Sequence, residues 1–343
     1  MTMQINVGVI GASGFAGSEF LRLAAGHPNL QIGWATGESQ AGTAIADLYP
    51  SLAAVHPNQV FVSYEPALLR GIDVVVLALP HGASQAMVPE LADAGVRIID
   101  LAADFRLKDA SLYDIWYGES HHAPELLDSF VYGLPELYRS DIRSATRVAA
   151  PGCYPTAVLL GLAPLVRAGM IERRRIIVDA ASGVSGAGRP PKANTTFCTV
   201  DENFTAYGLL THRHTAEMEA HLDAGVLFTP HLAPMNRGIL ATSYADPAPG
   251  AELTTEVVLA ALADAYADEP FIVVDERPPS TKATQGSNCA HLSARVDPRT
   301  GTVIVLAAID NLVKGTAGQA IQCLNLMVGL DEPTGLPRVG VTP

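Results

Sequence analysis

Cysteine is scarce in this chain, and what there is does not pair. Four cysteines stand at positions 153, 198, 289 and 323 of 343 residues. They show neither CxxC spacing nor a metal-ligand pattern, so no disulfide framework and no metal site is expected. A thiol left free of both tasks is available for chemistry. Cationic residues are short as well: 22 Lys and Arg stand against 35 Asp and Glu, for a formal charge of −13. That balance opposes nucleic acid and anionic membrane surfaces as partners, which need clustered Lys and Arg. It does not oppose a small anionic substrate, which a few local donors can hold. Long apolar runs are also missing. The longest, Thr156 to Val166, contains Gly161 and Pro164 and falls well short of the ~20 residues that span a bilayer. The N-terminus, MTMQINVGVIGASG, lacks the basic and apolar regions of a secretion signal. A cytoplasmic protein is expected.

What remains is an ordinary globular composition, 48% hydrophobic and 17% charged, and a length that favours two domains of roughly 100 to 200 residues each. Short β-branched runs alternate with helical patterns over the first 105 residues, the mark of βαβ units and a doubly wound parallel sheet. Strands read at Ile5–Ile10, Leu30–Ala35, Asp73–Leu79 and Arg97–Leu101. The run VVVLAL at 74–79 is apolar throughout, as expected of a strand covered on both faces. Strands then outnumber helices, at Arg175–Ala180, Gly238–Tyr244, Phe271–Asp275 and Val303–Ile309, which indicates an α+β domain with a mixed sheet. The pattern from Thr316 to Val328 reads as a helix apolar on one side that returns to the first domain. The expected fold is therefore α/β: a dinucleotide-binding domain over residues 1–149, completed by about 316–343, and an α+β catalytic domain over 150–315. The Pro-rich tail after Asp331 reads as a surface finish.

Gly11-Ala12-Ser13-Gly14-Phe15-Ala16-Gly17 follows the first strand and opens a helical run. In that context glycines allow a tight turn and let backbone N–H groups and a helix N-terminus approach a pyrophosphate. The second strand ends in Thr36, with Glu38 and Ser39 close behind. Small hydroxyl residues stand where a strictly NAD-dependent protein usually has an acid for the ribose diol, so NADP(H) is the expected cofactor, although Glu38 is near and no Arg adjoins.

The segment APGCYPT, which holds Cys153, directly precedes the apolar helical run AVLLGLAPLV. Near a helix N-terminus the dipole and free N–H groups favour thiolate, which makes a nucleophile at neutral pH. Cys198, Cys289 and Cys323 read as structural. His212 and His214 lead into another helical pattern with Thr215 as its N-cap. In an extended lead-in both point the same way, and either can exchange a proton near neutrality. Arg106, after the strand RIIDLA, is a candidate anion clamp or a surface ion pair. Two Gly-rich segments, around Ser182, Gly183 and Gly186 and around Asn311 and Lys314, are candidate ligand-approach loops or plain turns.

Taken together, GASGFAG, LALPHG, DLAADFRL, VYGLPELY, APGCYPTA, SGVSGAGR, HRHTAE and NLVKGTAGQAIQ resemble the N-acetyl-γ-glutamyl-phosphate reductase family over nearly the whole chain. The resemblance implies a Rossmann domain joined to a catalytic domain of the semialdehyde dehydrogenase type, and a homodimer or homotetramer. It implies Cys153 as nucleophile, His212 as acid/base, and His214 and Glu217 in support. It places Pro80 of LALPHG, SGVSG and NLVKG among the NADP(H) contacts, the last two at the nicotinamide half. The implied activity is NADPH-dependent reduction of an acyl phosphate, N-acetylglutamyl phosphate, through a Cys153 thioester. Ala102 and Ala103 depart from the Ser-containing DLSADFR form common in that family. Three alternatives stand beside this reading: a carrier-linked aminoadipyl-phosphate reductase, whose group tends to have Asn-Ala where this chain has Tyr154-Pro155, an aspartate-semialdehyde dehydrogenase, and a non-catalytic NADP sensor.

Overall fold

The computed structural model describes residues 3–342 and divides the chain into two compact units. The first comprises residues up to 114, 119–151 and 316–336, and the second comprises 115–118, 152–315 and 337 onward.

The first unit is built on a six-stranded sheet. In chain order its strands are β1 (Ile5–Ile10), β2 (Leu30–Ala35), β3 (Val74–Leu77), β4 (Arg97–Asp100), β5 (Val131–Tyr132) and β6 (Arg147–Ala149), arranged β2-β1-β3-β4-β6-β5. Every pairing is parallel. All four residues of β3 are buried, because parallel sheets are covered on both faces and their central strands meet no water. The chain reverses direction of growth between β1 and β3, where ligands of doubly wound sheets bind.

The helix Gly318–Met327 belongs to this unit, but not as the one-sided helix its pattern suggests. All ten of its residues are buried. Gln319, Gln322 and Asn325, spaced like a solvated stripe, donate to internal acceptors instead. Gln319 Nε2 donates to Gly133 O at 2.7 Å, Gln322 Nε2 to Glu136 and Glu332, and Asn325 Nδ2 to the carbonyls of Glu332 and Thr334. A buried amide is stable only with such partners, and two of these, Gly133 and Glu136, lie far away in sequence.

The second unit carries a seven-stranded mixed sheet. Its strands are β7 (Ile176–Ser182), β8 (Thr205–Ala206), β9 (Val226–Leu232), β10 (Ile239–Ala245), β11 (Ile272–Val274), β12 (Ala290–Val296) and β13 (Val303–Ile309), in the order β11-β12-β13-β10-β7-β9-β8. Burial alternates along β7, β9 and β10, so each has one face toward the core. The helix Cys153–Arg167 lies on that face, with twelve of its residues buried. Gly161 lets it approach closely, since a Cβ there would stand 3.0 Å from Val305 Cγ1. The tail is more than a surface finish. Pro337 O accepts from Asn288 N at 2.8 Å and Val341 N donates to Gln285 O at 2.7 Å, which ties residues beyond 336 to the second unit.

Candidate active site

Cys153 is the first residue of its helix. Gly152, at φ −65 and ψ 151, is the N-cap, and no side chain caps the end. At such a helix start the dipole favours negative charge on sulfur. Cys153 is half-buried while the residues after it are buried. Its surroundings are close. A Cβ on Gly315 would stand 2.8 Å from Cys153 Cβ, and a Cβ on Gly152 would stand 2.5 Å from His214 Nε2. These two glycines let the NLVKG segment and an imidazole close on the nucleophile's backbone.

The helix after the histidines begins at His214, with Arg213 as N-cap in αR conformation. The expected extended lead-in and Thr215 cap are both replaced: Thr215 lies in the first turn, its N–H donating to His212 O. The two rings still meet, at 4.7 Å between centroids, and each edges Tyr154, at 5.8 and 5.9 Å. His212 Nδ1 accepts the backbone N–H of His214 at 3.2 Å. Burial, aided by the Arg213 charge, pulls the His212 pKa down to about 4. His212 is therefore neutral at pH 7, and with Nδ1 accepting, its proton resides on Nε2.

Glu217 is fully buried, and its Oε1 accepts the Gly152 N–H at 2.7 Å. A carboxylate on the helix His214–Leu222 thus anchors the residue before the nucleophile. Tyr154, from the first turn of the cysteine's helix, donates to His231 O at 3.2 Å and meets Tyr207 hydroxyl to hydroxyl at 3.1 Å.

These groups line one cavity of about 290 Å³ in the second unit. Cys153, Tyr154, His212 and His214 form one wall, and Ser182, Gly183 and Gly186 another. Lys192, Asn194 and Arg213 supply cationic and amide donors, and the spacing of residues in the sequence does not mark them. The signal for Arg213 was present in HRHTAE, between the two histidines. Asn311 stands behind this wall, accepting from Gly238 N at 2.7 Å and donating to Ser185 Oγ at 2.9 Å. Lys314 is neither a solvated charge nor an open ligand contact: it is fully buried, with Nζ 5.8 Å from the Phe271 ring centroid. A larger recess of about 600 Å³ in the first unit is lined by Ile5, Asp73 and Arg97, at the start of parallel strands, the end opposite the glycine loop.

In the first unit the glycine loop forms a cradle. Gly11, at φ +80, has no room for a side chain, since a Cβ would stand 2.5 Å from Ala78 O, and a Cβ on Gly17 would stand 2.5 Å from Ala12 Cα. Gly14 is the N-cap of the helix Phe15–Ala25, again without a side-chain cap. Bare amides at a helix start suit a pyrophosphate, so the loop fits a dinucleotide. Ala12 is buried, while Ser13 and Phe15 are half-exposed; Ser13 Oγ donates to Gly37 O at 3.2 Å. Thr36 is not an open ribose contact. It is 2% exposed, and its Oγ1 accepts the Gly11 N–H at 3.1 Å, bracing the loop. Ser39 and Pro80 are exposed.

Arg106 departs from both readings of it. It is 7% exposed, donating from Nε to Ala150 O and from Nη2 to Leu101 O. These are bonds that brace strand ends. Asp104, two residues earlier, accepts from Gly82 N, Ser84 N and Ser84 Oγ and pairs with His81. Burial works against its charge, but the bonds from His81, Gly82 and Ser84 hold it down to about 2. Asp100, fully buried beside it, is pushed up to about 7 by burial and by the Asp104 charge. Of the remaining cysteines, Cys289 and Cys323 are buried, whereas Cys198 is exposed and has no core role. Among the described residues no cluster of His, Cys, Asp and Glu could hold a metal, and no helix is long and apolar enough to cross a membrane.

A dinucleotide cradle in one unit and a cysteine–histidine cavity in the other define a class of oxidoreductase that works through a thiol. Residues 6–145 match the family model for the semialdehyde dehydrogenase NAD binding domain, and residues 153–311 that for the semialdehyde dehydrogenase dimerisation domain. The N-acetyl-gamma-glutamyl-phosphate reductase of Symbiobacterium thermophilum is 50% identical over 98% of this chain and 99% of its own length. Those of Desulforamulus reducens and Pseudomonas aeruginosa are 47% and 45% identical over 99% of this chain and all of theirs. Among solved structures, aspartate semialdehyde dehydrogenase II from Vibrio cholerae, complexed with ASA, aligns with TM-score 0.69 at 20% identity over 96% of this chain and 99% of that one. The Candida albicans aspartate semialdehyde dehydrogenase with NADP aligns with TM-score 0.70 at 15% identity over 94% and 98%; at such identities the likeness is one of fold. The chain belongs to the semialdehyde dehydrogenase family and, within it, to the N-acetyl-gamma-glutamyl-phosphate reductases.

Proposed function

We propose that this protein reduces N-acetylglutamyl 5-phosphate to N-acetylglutamate 5-semialdehyde and phosphate in arginine biosynthesis, with NADPH as reductant and Cys153 as covalent nucleophile. The observation that carries the reading is Cys153 at an uncapped helix start, in one cavity with His212, His214 and the cations Lys192 and Arg213. A substrate with a carboxylate and an acyl phosphate calls for two cationic groups in an otherwise acidic chain.

His214, the ring over Gly152, takes the thiol proton. The thiolate adds to the acyl carbon, the bond to the phosphate oxygen breaks, and a thioester remains on Cys153. The loop of Gly11, Gly14 and Gly17 would hold NADPH, which when bound would supply the hydride that reduces the acyl carbon. His212 carries its proton on Nε2, so it enters the reaction as a donor and covers the oxyanion that develops at that carbon. The thiohemiacetal alkoxide, held by that hydrogen bond, re-forms its carbonyl as the carbon–sulfur bond breaks, so the aldehyde leaves and the Cys153 thiolate takes back the proton held on His214. Glu217 acts through Gly152 as a positioning residue. We place the enzyme in the cytoplasm as a homodimer or homotetramer assembled through the region 153–311.

Cys153→Ser tests the reading in the phosphate-dependent reverse direction, oxidation of N-acetylglutamate semialdehyde with NADP. Turnover is lost and NADPH binding is kept; appreciable turnover in that variant refutes the thioester. Running the aminoadipate analogue in parallel separates this reading from the lysine-type alternative.

A further inference from the structure

Asp310 is a buried carboxylate that the reaction above does not use. It stands between β13 and the NLVKG segment and is 0% exposed. Its Oδ1 accepts the N–H groups of Leu312 and Val313 at 2.8 and 3.1 Å. Its Oδ2 accepts the Gly286 N–H at 2.7 Å and a guanidinium N–H of Arg237 at 3.3 Å. A carboxylate taken out of water needs donors of this kind on both oxygens. The main chain of Asp310 contributes as well: its carbonyl accepts the Gly315 N–H at 2.9 Å, a five-residue step. That step winds Val313–Ala317 as a π turn, a rare form found often at functional sites. The turn brings Gly315 against the nucleophile. A Cβ on Gly315 would stand 2.8 Å from Cys153 Cβ and 3.3 Å from both Cys153 Cα and Ile309 Cδ1. Main chain this near a Cβ leaves the sulfur fewer staggered positions.

We infer that Asp310 is a positioning residue for Cys153: its carboxylate sets the π turn, the turn sets Gly315, and Gly315 sets the direction of the sulfur. This rests on Cys153 being the nucleophile proposed above. Both oxygens are required. An amide at this position offers one oxygen and one NH2 group, so one pair of donors, either Leu312 and Val313 or Gly286 and Arg237, faces another donor.

The test compares steady-state oxidation of the semialdehyde, thermal melts and residue-resolved iodoacetamide labelling for Asp310→Asn, Gly315→Ala and the two combined. Asp310→Asn lowers kcat about 10- to 100-fold, the cost of misplacing a reacting group, while KM and NADPH affinity stay within about twofold. Labelling moves the other way. Cys153, relieved of the Gly315 wall, reacts about threefold faster, and the buried Cys323 stays unlabelled, which a general loosening does not allow. The combined variant loses about as much as the larger single loss, because both changes act on one contact. Unchanged kcat in a folded Asp310→Asn overturns the inference. A loss carried by KM alone, or losses that multiply in the combined variant, overturn the route through Gly315. Should Asp310→Asn unfold, Arg237→Gln decides: it removes the longest of the four bonds and lowers kcat about threefold, and full activity there overturns the role. A wild-type protein without turnover on the semialdehyde refutes the functional reading and not this one. Cys153 labelling then decides, with faster reaction in Asp310→Asn supporting the role and an unchanged rate overturning it.

Discussion

Gly152→Ala isolates the contact between the nucleophile's N-cap and His214. Gly152 has φ −65 and ψ 151, values that alanine adopts without strain, so the backbone gives no reason for glycine. The reason is the imidazole: an added Cβ would lie 2.5 Å from His214 Nε2 and 2.8 Å from both Cδ2 and Cε1. Ordinary contact begins near 3.4 Å, so the ring must retreat by about 1 Å or rotate away. Overpacking of this size costs about 1–3 kcal/mol, partly offset by the roughly 0.4–1 kcal/mol that replacing glycine contributes through the unfolded chain. The net stability loss is therefore small. The catalytic loss is not, because displacing a reacting group by about 1 Å can cost about 10²-fold. The expected result is a kcat near one hundredth of wild type with NADPH affinity unchanged and a melting temperature lowered by only a few degrees. Gly225→Ala, where an added Cβ meets nothing within 4 Å, is the matched control and keeps full activity. The measurement is steady-state oxidation of the semialdehyde with phosphate and NADP, beside thermal melts. A Gly152→Ala enzyme within twofold of wild-type kcat refutes the part given to His214.

Two further outcomes follow from groups around the sites. Glu217→Ala strands the Gly152 N–H, which its carboxylate accepts at 2.7 Å, at a cost of about 1–3 kcal/mol. Its kcat should fall about 10- to 100-fold, whereas Glu217→Gln, which keeps an acceptor, should lose clearly less; equal losses in the two variants would remove the positioning role. Asp100 has its carboxyl raised to about 7 by burial and the nearby Asp104 charge, so between its unfolded value near 3.9 and about 7 the folded protein binds a proton that the unfolded chain has released. Its contribution is fully present at low pH and is lost as pH rises through that window, by at most about 1.4 kcal/mol per unit. Asp100→Asn removes this slope, so its stability in urea should gain on wild type between pH 5.5 and pH 7.5, and parallel curves would refute the protonation of Asp100.

The parts of the fold that could be read directly are those whose burial is set by their own neighbours. β1, β2 and β13 begin and end where the apolar runs do, because a strand inside a sheet shows its burial in its composition. β9 is harder to see: it carries Pro230 and His231, residues that argue against an interior strand. The helix Gly318–Met327 was legible as a helix but not in its surroundings. Its amides donate to Gly133 and Glu136, and no periodicity reports a hydrogen bond made across almost two hundred residues. Thr36 and Arg106 share that limit, since a hydroxyl or guanidinium that braces a loop and one that binds a ligand look alike in sequence.

The candidate site divides the same way. A cysteine before an apolar helix, a glycine loop after a strand and two histidines before a third helix are local signals, and the structure gathers Cys153 and both histidines into one cavity. What no local signal carried is the state of those groups. The tautomer of His212 depends on a turn at Arg213 that replaced an expected extended segment, and that turn separates the two imidazoles in function. His212, neutral and protonated on Nε2, is a donor, while His214 lies over the nucleophile's N-cap. The cationic wall of Lys192 and Arg213 comes from segments on either side of an exposed apolar stretch. Recognising a doubly anionic substrate in an acidic protein calls for such a local reversal of charge.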